Sequence, residues 1–439
     1  MKRALYLVIL LLSMLALSGC VFSAVDEMYQ LPKRSEEYSA LQQVIDSAMG
    51  NMSYCAPLSG QQRQTVQMAD LDGDGIQEYI LYAKGDFDVP LRILIFDKVD
   101  EEYRHIDTIE CNGTGFDRIE YVQIDDNPGL EIVVGKQLND QVLRSLSVYS
   151  FAGGSAEKLM SANYYRFLTV NLDSNASMEL MVLRPGLTET DRGVVELYSV
   201  LDGNVERSVE VNMSEPVDKL KRIVVGRLYD QIPAVYIASA IGDSALITDV
   251  YALIDGVLTN VTFSNESGTS VKTLRNYYVY ADDIDSDGVI ELPHLITMRQ
   301  PDQSHVSTGH NIIRWYAMTK DGGEVDKLYT YHNYLDGWYL ELNNQWASRV
   351  FVLQQGNRCD FFLWDEEGMD YIKLMSVYTF TGANRQQQGT SDGRFVLHRS
   401  ETVVYAATVE EEALSYGVSD KTLPGYFRLI HQDWNTGET

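Results

Sequence analysis

Oxygen-bearing side chains alternate along two short stretches of this sequence. Asp70, Asp72 and Asp74 occupy every second position and lead into Gly75, Ile76 and Glu78; Asp283, Asp285 and Asp287 lead in the same way into Gly288, Val289 and Glu291. On a tight loop such carboxylates can converge on one ion, the glycine permitting the turn and the carbonyl of Ile76 or Val289 facing inward. The glutamate would close the site from the strand that follows. A ligand set made only of oxygen suits a hard cation, Ca²⁺ before Mg²⁺, because Ca²⁺ tolerates irregular coordination. An EF-hand would place its bidentate Glu at loop position 12 and flank the loop with helices. Here the closing acid stands at position 9 and the apolar run Tyr79-Ile80-Leu81-Tyr82 follows. The same residue types also build hydrogen-bonded turns on a solvated face, a reading that needs no metal.

The loops belong to a longer internal repeat. Gln123 to Glu131, with Asp125 and Asn127, and Asn171 to Glu179, with Asp173 and Asn175, repeat the frame with fewer acids. Both are weaker metal candidates, because Gln123 and Asn171 replace the first acid. A degenerate copy from Gly226 to Ala234 keeps Asp230, but Leu228 stands at a ligand position, so it should hold no metal. The third positions, Asp72, Asp125, Asp173, Leu228 and Asp285, lie 53, 48, 55 and 57 residues apart. A ligand set that fades over a retained strand pattern points to a structural cation, bracing a corner of the fold.

Each unit carries a second strand-like run: Leu91–Phe96, Ser145–Ser150, Val194–Ser199, Thr248–Leu253 and Ile313–Met318. β-Branched and aromatic residues with frequent polar turns predict antiparallel sheet. A period near 50 with about four short strands per unit predicts a mainly β fold, a β-propeller of blade-like repeats. Five blades are visible; six or seven would need degenerate units, and an open β-solenoid is the structural alternative. The loop spacing resembles the calcium loops of integrin-alpha-type (FG-GAP or VCBS) propeller repeats.

The ends predict export. Lys2 and Arg3 precede an apolar run from Ala4 to Leu17, too short to span a bilayer. Leu17-Ser18-Gly19-Cys20 resembles the lipobox of bacterial lipoproteins, and that resemblance implies a diacylglycerol on Cys20 and a chain lipid-anchored to the cell membrane, facing the exterior. The expected layout is a signal peptide over 1–19, a lipidated tether over 20–34, a helix and linker over 35–60, acidic-loop repeats over 61–333 and a small C-terminal α+β domain over 334–439. Ser35 could cap the helix, whose stripe is Tyr38, Leu41, Val44, Ile45 and Ala48. This layout resembles that of surface lipoproteins of anaerobic Gram-positive gut bacteria, which implies a location and a fold but no reaction.

A formal net charge of -28 argues against nucleic acid as a partner and is compatible with cation binding. Cys55, Cys111 and Cys359 are too few for a disulfide-built fold, although Cys55 and Cys111 could pair. No nucleophile elbow, zinc-binding helix, phosphate loop or dinucleotide fingerprint is present. His294, His305 and His310 fall in one stretch but match no site spacing, and the five tryptophans could either stack on sugars or pack. The expectation is therefore a non-enzymatic binding or scaffolding protein, offering protein, peptide or glycan a surface at a propeller rim. The alternative is a hydrolase or lyase acting on surface glycan or peptidoglycan at the propeller mouth.

Overall fold

The computed structural model describes residues 36–430, apart from 126, 140–143, 189–190, 202–203, 297, 299–311, 345–346, 348 and 366–368. The chain enters through helix α1 (Glu36–Met49). Leu41, Ile45 and Met49, spaced four residues apart, form one buried stripe and pack on Leu81, Ala83, Leu94 and Phe96. The helix ends at Gly50, whose φ of +52° is a conformation that favours glycine.

Among the described residues six separate antiparallel sheets follow. The first is built from β1 (Ser53–Tyr54), β2 (Val66–Ala69), β3 (Glu78–Lys84), β4 (Leu91–Val99) and β5 (Glu102–Cys111). The second is β6 (Gly115–Val122), β7 (Glu131–Gln137), β8 (Arg144–Ser150) and β9 (Glu157–Tyr164). The third is β10 (Arg166–Val170), β11 (Glu179–Arg184), β12 (Val194–Leu201) and β13 (Asn204–Asn212). The fourth is β14 (Leu220–Arg227), β15 (Pro233–Ile241), β16 (Ala245–Ile254) and β17 (Val257–Asn260). In the fifth, β18 (Glu291–Ile296), β19 (Ile312–Met318), β20 (Glu324–Asn333) and β21 (Trp338–Leu342) are joined by the late strand β27 (Phe427–Leu429). The sixth contains β22 (Val350–Gln355), β23 (Arg358–Asp365), β24 (Asp370–Thr381), β25 (Phe395–Arg399) and β26 (Val403–Val409). Short helical turns at Glu411–Tyr416 and Leu423–Tyr426 give this end its α+β character.

The propeller reading is corrected here. No sheet closes or curls as a propeller requires, and the apolar contacts describe an open succession. Core clusters join the first sheet to the second, the second to the third, the third to the fourth, the fourth to the fifth and the fifth to the sixth. Among the described residues none joins the sixth sheet to the first, whose outer face is taken by α1. Five units are visible by their loops, and the described residues form six sheets, the sixth being a degenerate unit. The sixth sheet carries no acidic loop, so counting loops passed over it.

One irregularity recurs. In the first, second, third and fifth sheets the pairs β4–β5, β8–β9, β12–β13 and β19–β20 slip by one residue at the same register. Ile95 pairs with Asp107 and Phe96 with His105, leaving Ile106 at the bulge; Leu159 and Lys327 hold that place in the second and fifth sheets. Such bulges redirect a side chain.

Candidate metal centre

Each acidic loop runs into the first residue of a strand: Glu78 opens β3, Glu131 β7, Glu179 β11 and Glu291 β18. All four glutamates are buried. One carboxylate oxygen of each locks its loop by accepting a backbone N–H seven residues earlier. Leu71 N donates to Glu78 Oε2 at 2.6 Å, Ile124 N to Glu131 Oε2 at 2.7 Å, Leu172 N to Glu179 Oε2 at 2.7 Å and Ile284 N to Glu291 Oε2 at 3.1 Å. Loop closure alone thus accounts for a glutamate at every copy. What separates the copies is what meets the other oxygen.

In the first loop the carboxylates of Asp70, Asp72 and Glu78 offer oxygens that all lie within 4.8 Å of one another. Asp70 gathers the turn by accepting the N–H of Gly73 at 2.8 Å and of Gly75 at 3.0 Å, and Asp72 accepts that of Asp74 at 3.1 Å. Gly73 and Gly75 have φ of +78° and +88°, which only glycine adopts without strain. Asp74 accepts the N–H of Ile76 at 2.7 Å and lies outside the triad, and the Ile76 side chain is exposed. Glu78 Oε1 is buried with no hydrogen-bond partner among the described residues. Burial, with the charges of Asp72, Asp97 and Asp70 added, pushes the Glu78 carboxyl up to about 7, and Asp72 is raised by its own burial as well. A divalent cation would relieve both effects.

Asp283, Asp285 and Glu291 form the second such group. Asp283 accepts the N–H of Asp287 and of Gly288, each at 2.9 Å, and Asp287 accepts that of Val289 at 2.9 Å. Burial and the neighbouring Asp285 push Glu291 up to about 8. Here a cation is already supplied by the chain. Lys327 Nζ lies 3.3 Å from Asp285 and 3.9 Å from Glu291 Oε1, and also pairs with Asp287. Burial raises Asp287, but Lys327 more than offsets this and holds it below the usual carboxylate range.

The two weaker loops are filled by amides. Gln123 Nε2 donates to the carbonyls of Asp125 at 2.7 Å and Asn127 at 2.5 Å, and Asn127 Nδ2 donates to Asp125 at 3.0 Å. Asn171 Nδ2 donates to the carbonyl of Asn175 at 2.6 Å, and Asn175 Nδ2 to Asp173 at 2.7 Å. Sequence reasoning took Gln123 and Asn171 as lost ligands. The structure makes them donors that tie their loops internally. In the fourth copy Leu228 is buried in core, and Asp230 accepts the N–H of Lys320 at 2.7 Å.

The loops also join successive sheets. Leu130 N donates to the Asp70 carbonyl at 2.9 Å, Met178 N to that of Gln123 at 2.7 Å and Ile290 N to that of Arg227 at 3.1 Å. Each donor immediately precedes a closing glutamate. An ordered first loop therefore fixes the junction of the first and second sheets.

Other expected residues fall elsewhere. Cys55, Cys111 and Cys359 are free thiols, with Cys55 and Cys111 in one apolar cluster. Trp315 and Trp338 are fully buried, so they pack. Cys20, His305, His310, Trp346 and Trp434 lie outside the described residues. No observation supports a diacylglycerol on Cys20, and no described helix is long and apolar enough to cross a membrane. The lipoprotein assignment, which falls on residues outside the described ones, is not borne out.

No family model matches the chain, and no curated protein matches it. The resemblance to integrin-alpha-type repeats is corrected by the sheets themselves, which loosely resemble blades but do not close into the propeller it implied. Among solved structures the chain is similar to a rhamnogalacturonan lyase of Bacillus licheniformis, at 11% identity over 79% of this chain and 85% of that one, with a TM-score of 0.29. It is also similar to Sqt1 of Saccharomyces cerevisiae, at 8% identity over 79% and 98%, with a TM-score of 0.30. Sqt1 of Chaetomium thermophilum gives 10% over 78% and 94%, with a TM-score of 0.31. Scores this low carry no argument about activity. Lyases stand among the similar structures beside proteins of other names.

Proposed function

We propose that the chain is a calcium-binding protein in which the 70–78 loop holds Ca²⁺ and thereby fixes the junction between its first two sheets. The observation that carries this reading is the buried Glu78 Oε1, without a hydrogen-bond partner among the described residues, on a carboxylate that groups with those of Asp70 and Asp72. A buried carboxylate oxygen left without a partner costs free energy that a cation would return. Ca²⁺ suits the irregular, partly exposed oxygen set better than Mg²⁺, which demands near-ideal octahedral geometry. An exterior location, expected from the segment Lys2 to Cys20, belongs to the same proposal, since extracellular calcium modules work at dissociation constants of about 10⁻⁴–10⁻³ M. The test is thermal unfolding of the full chain in chelator, in Ca²⁺ and in Mg²⁺. Ca²⁺ should raise the melting temperature well above the other two; identical curves would overturn the reading.

A second reading is glycan-directed catalysis, by a lyase or hydrolase. It is favoured by two adjoining concavities of about 500 and 430 Å³ that share Glu210 and Asn212. Arg184 and Arg192 line one, Asn260 and Phe263 the other. Arg184 is held 2.8 Å from both Glu196 and Glu210. Guanidinium groups suit a uronate carboxylate, amides suit hydroxyls, and an aromatic ring suits a sugar face. Incubation with acidic polysaccharides, rhamnogalacturonan among them, should release new reducing ends or unsaturated products, and Arg184→Ala should abolish them. No product from any substrate would remove this reading and leave the calcium proposal intact.

A further inference from the structure

We infer that Lys327 is a built-in counter-cation that keeps the 283–291 loop from binding a divalent ion tightly, so that one acidic loop is open to Ca²⁺ and the other is neutralised by the chain itself. The inference rests on the calcium reading of the acidic loops and concerns how the two differ. Their sequences are nearly interchangeable, with acids at the first, third, fifth and ninth positions of each. Both have a closing glutamate that is almost wholly buried and whose Oε1 has no hydrogen-bond partner. Only the second receives an ammonium. Lys327 reaches it from β20, outside the loop, and its Nζ contacts Asp285, Asp287 and Glu291. Among the described ion pairs none involves Asp70, Asp72, Asp74 or Glu78.

The cause lies in the register of the sheet. Lys327 is the bulge residue between the Trp315–Leu328 and Tyr316–Asp326 pairs. The corresponding residue of the first sheet is Ile106 and that of the second is Leu159, and both pack into apolar clusters. Of these three bulge residues only Lys327 carries a charge, and its side chain reaches the acidic loop of its own sheet. For Ca²⁺ to enter, three carboxylate contacts of Lys327 must be broken and the ammonium moved away, at the cost of like-charge repulsion at short range. An ammonium cannot substitute fully for the metal, because its three hydrogens satisfy fewer oxygens than a calcium shell.

The experiment is equilibrium dialysis of the full chain against radioactive Ca²⁺, with native mass spectrometry to count bound ions. Wild type should hold one Ca²⁺ tightly. Lys327→Met keeps the aliphatic stem and removes the charge; it should hold two, the second gained through an affinity increase of roughly tenfold or more. Lys327→Arg retains the charge and should stay at one. If Lys327→Met does not fold, Lys327→Gln takes its place. A count unchanged by charge removal in a folded variant, or two equal sites in wild type, overturns the inference. If wild type binds nothing while Lys327→Met binds one ion, the inference stands and the reading of the 70–78 loop fails. If neither binds, both fail.

Discussion

Asp70→Asn converts the first acidic loop into the chemical pattern of the third, where Asn171 Nδ2 donates across its own loop to the Asn175 carbonyl. The substitution removes one carboxylate of the triad and keeps one acceptor for the N–H groups of Gly73 and Gly75. The lost acceptor sits on an exposed turn, so without calcium the variant should lie within about 1 kcal/mol of wild type. With calcium the two should part. Glu78 is pushed from 4.5 to about 7, and that shift corresponds to roughly 3 kcal/mol of cost in ionising it within the metal-free loop. A site with a dissociation constant of about 10⁻⁴ M is about 100-fold saturated at about 10 mM Ca²⁺, where linkage gives roughly 2.7 kcal/mol of stabilisation. At about 1–2 °C per kcal/mol for a chain of this size, the wild-type melting temperature should rise by roughly 3–5 °C on calcium addition. The assay is differential scanning calorimetry of both proteins in chelator and in millimolar Ca²⁺. Asp70→Asn should lose most of the rise. A variant that keeps the full wild-type rise would refute the assignment of Asp70 as a ligand.

Two further outcomes follow from the same structure. Gly73 has a φ of +78°, and a Cβ built there would lie 2.3 Å from Pro128 Cβ, so Gly73→Ala should destabilise the chain by about 1–3 kcal/mol. Urea unfolding measures this, and an unchanged midpoint would show that the first two loops are not in tight contact. His332 is almost wholly buried, and burial lowers it from 6.5 to about 3. The folded state therefore binds fewer protons than the unfolded chain between pH 3 and 6.5, and stability is lost as pH falls through that window, by about 1.4 kcal/mol per unit. Relative to His332→Phe, wild type should lose roughly 2 kcal/mol between pH 6.5 and 5; parallel pH profiles would contradict the assignment.

The acidic loops and the strands behind them were legible because both are local: ligand spacing and apolar alternation are written in consecutive residues. The strand-like runs Leu91–Phe96, Ser145–Ser150, Val194–Ser199, Thr248–Leu253 and Ile313–Met318 all lie within strands of the second-position type in their sheets. What escaped depends on register and on return of the chain. Lys327 reaches its loop only because a bulge offsets β20 by one residue, a displacement that leaves no trace in composition. Gln123 and Asn171 were visible, but their role turns on donors meeting loop carbonyls. The sixth sheet has no acidic loop to announce it, and Phe427–Leu429 joins β21 from some 90 residues away. Ring closure was inferred from period alone. The period records sheets stacked in series, and α1 covers the face that a closing sheet would need.

The most direct test of the central claim is anomalous diffraction from crystals of the full chain grown in Ca²⁺ or exchanged with Tb³⁺. The expected result is a peak bounded by oxygens of Asp70, Asp72 and Glu78 at about 2.3–2.6 Å from Ca²⁺, the ordinary range for its oxygen ligands. A well-ordered 70–78 loop with no anomalous peak at saturating Ca²⁺ would contradict it.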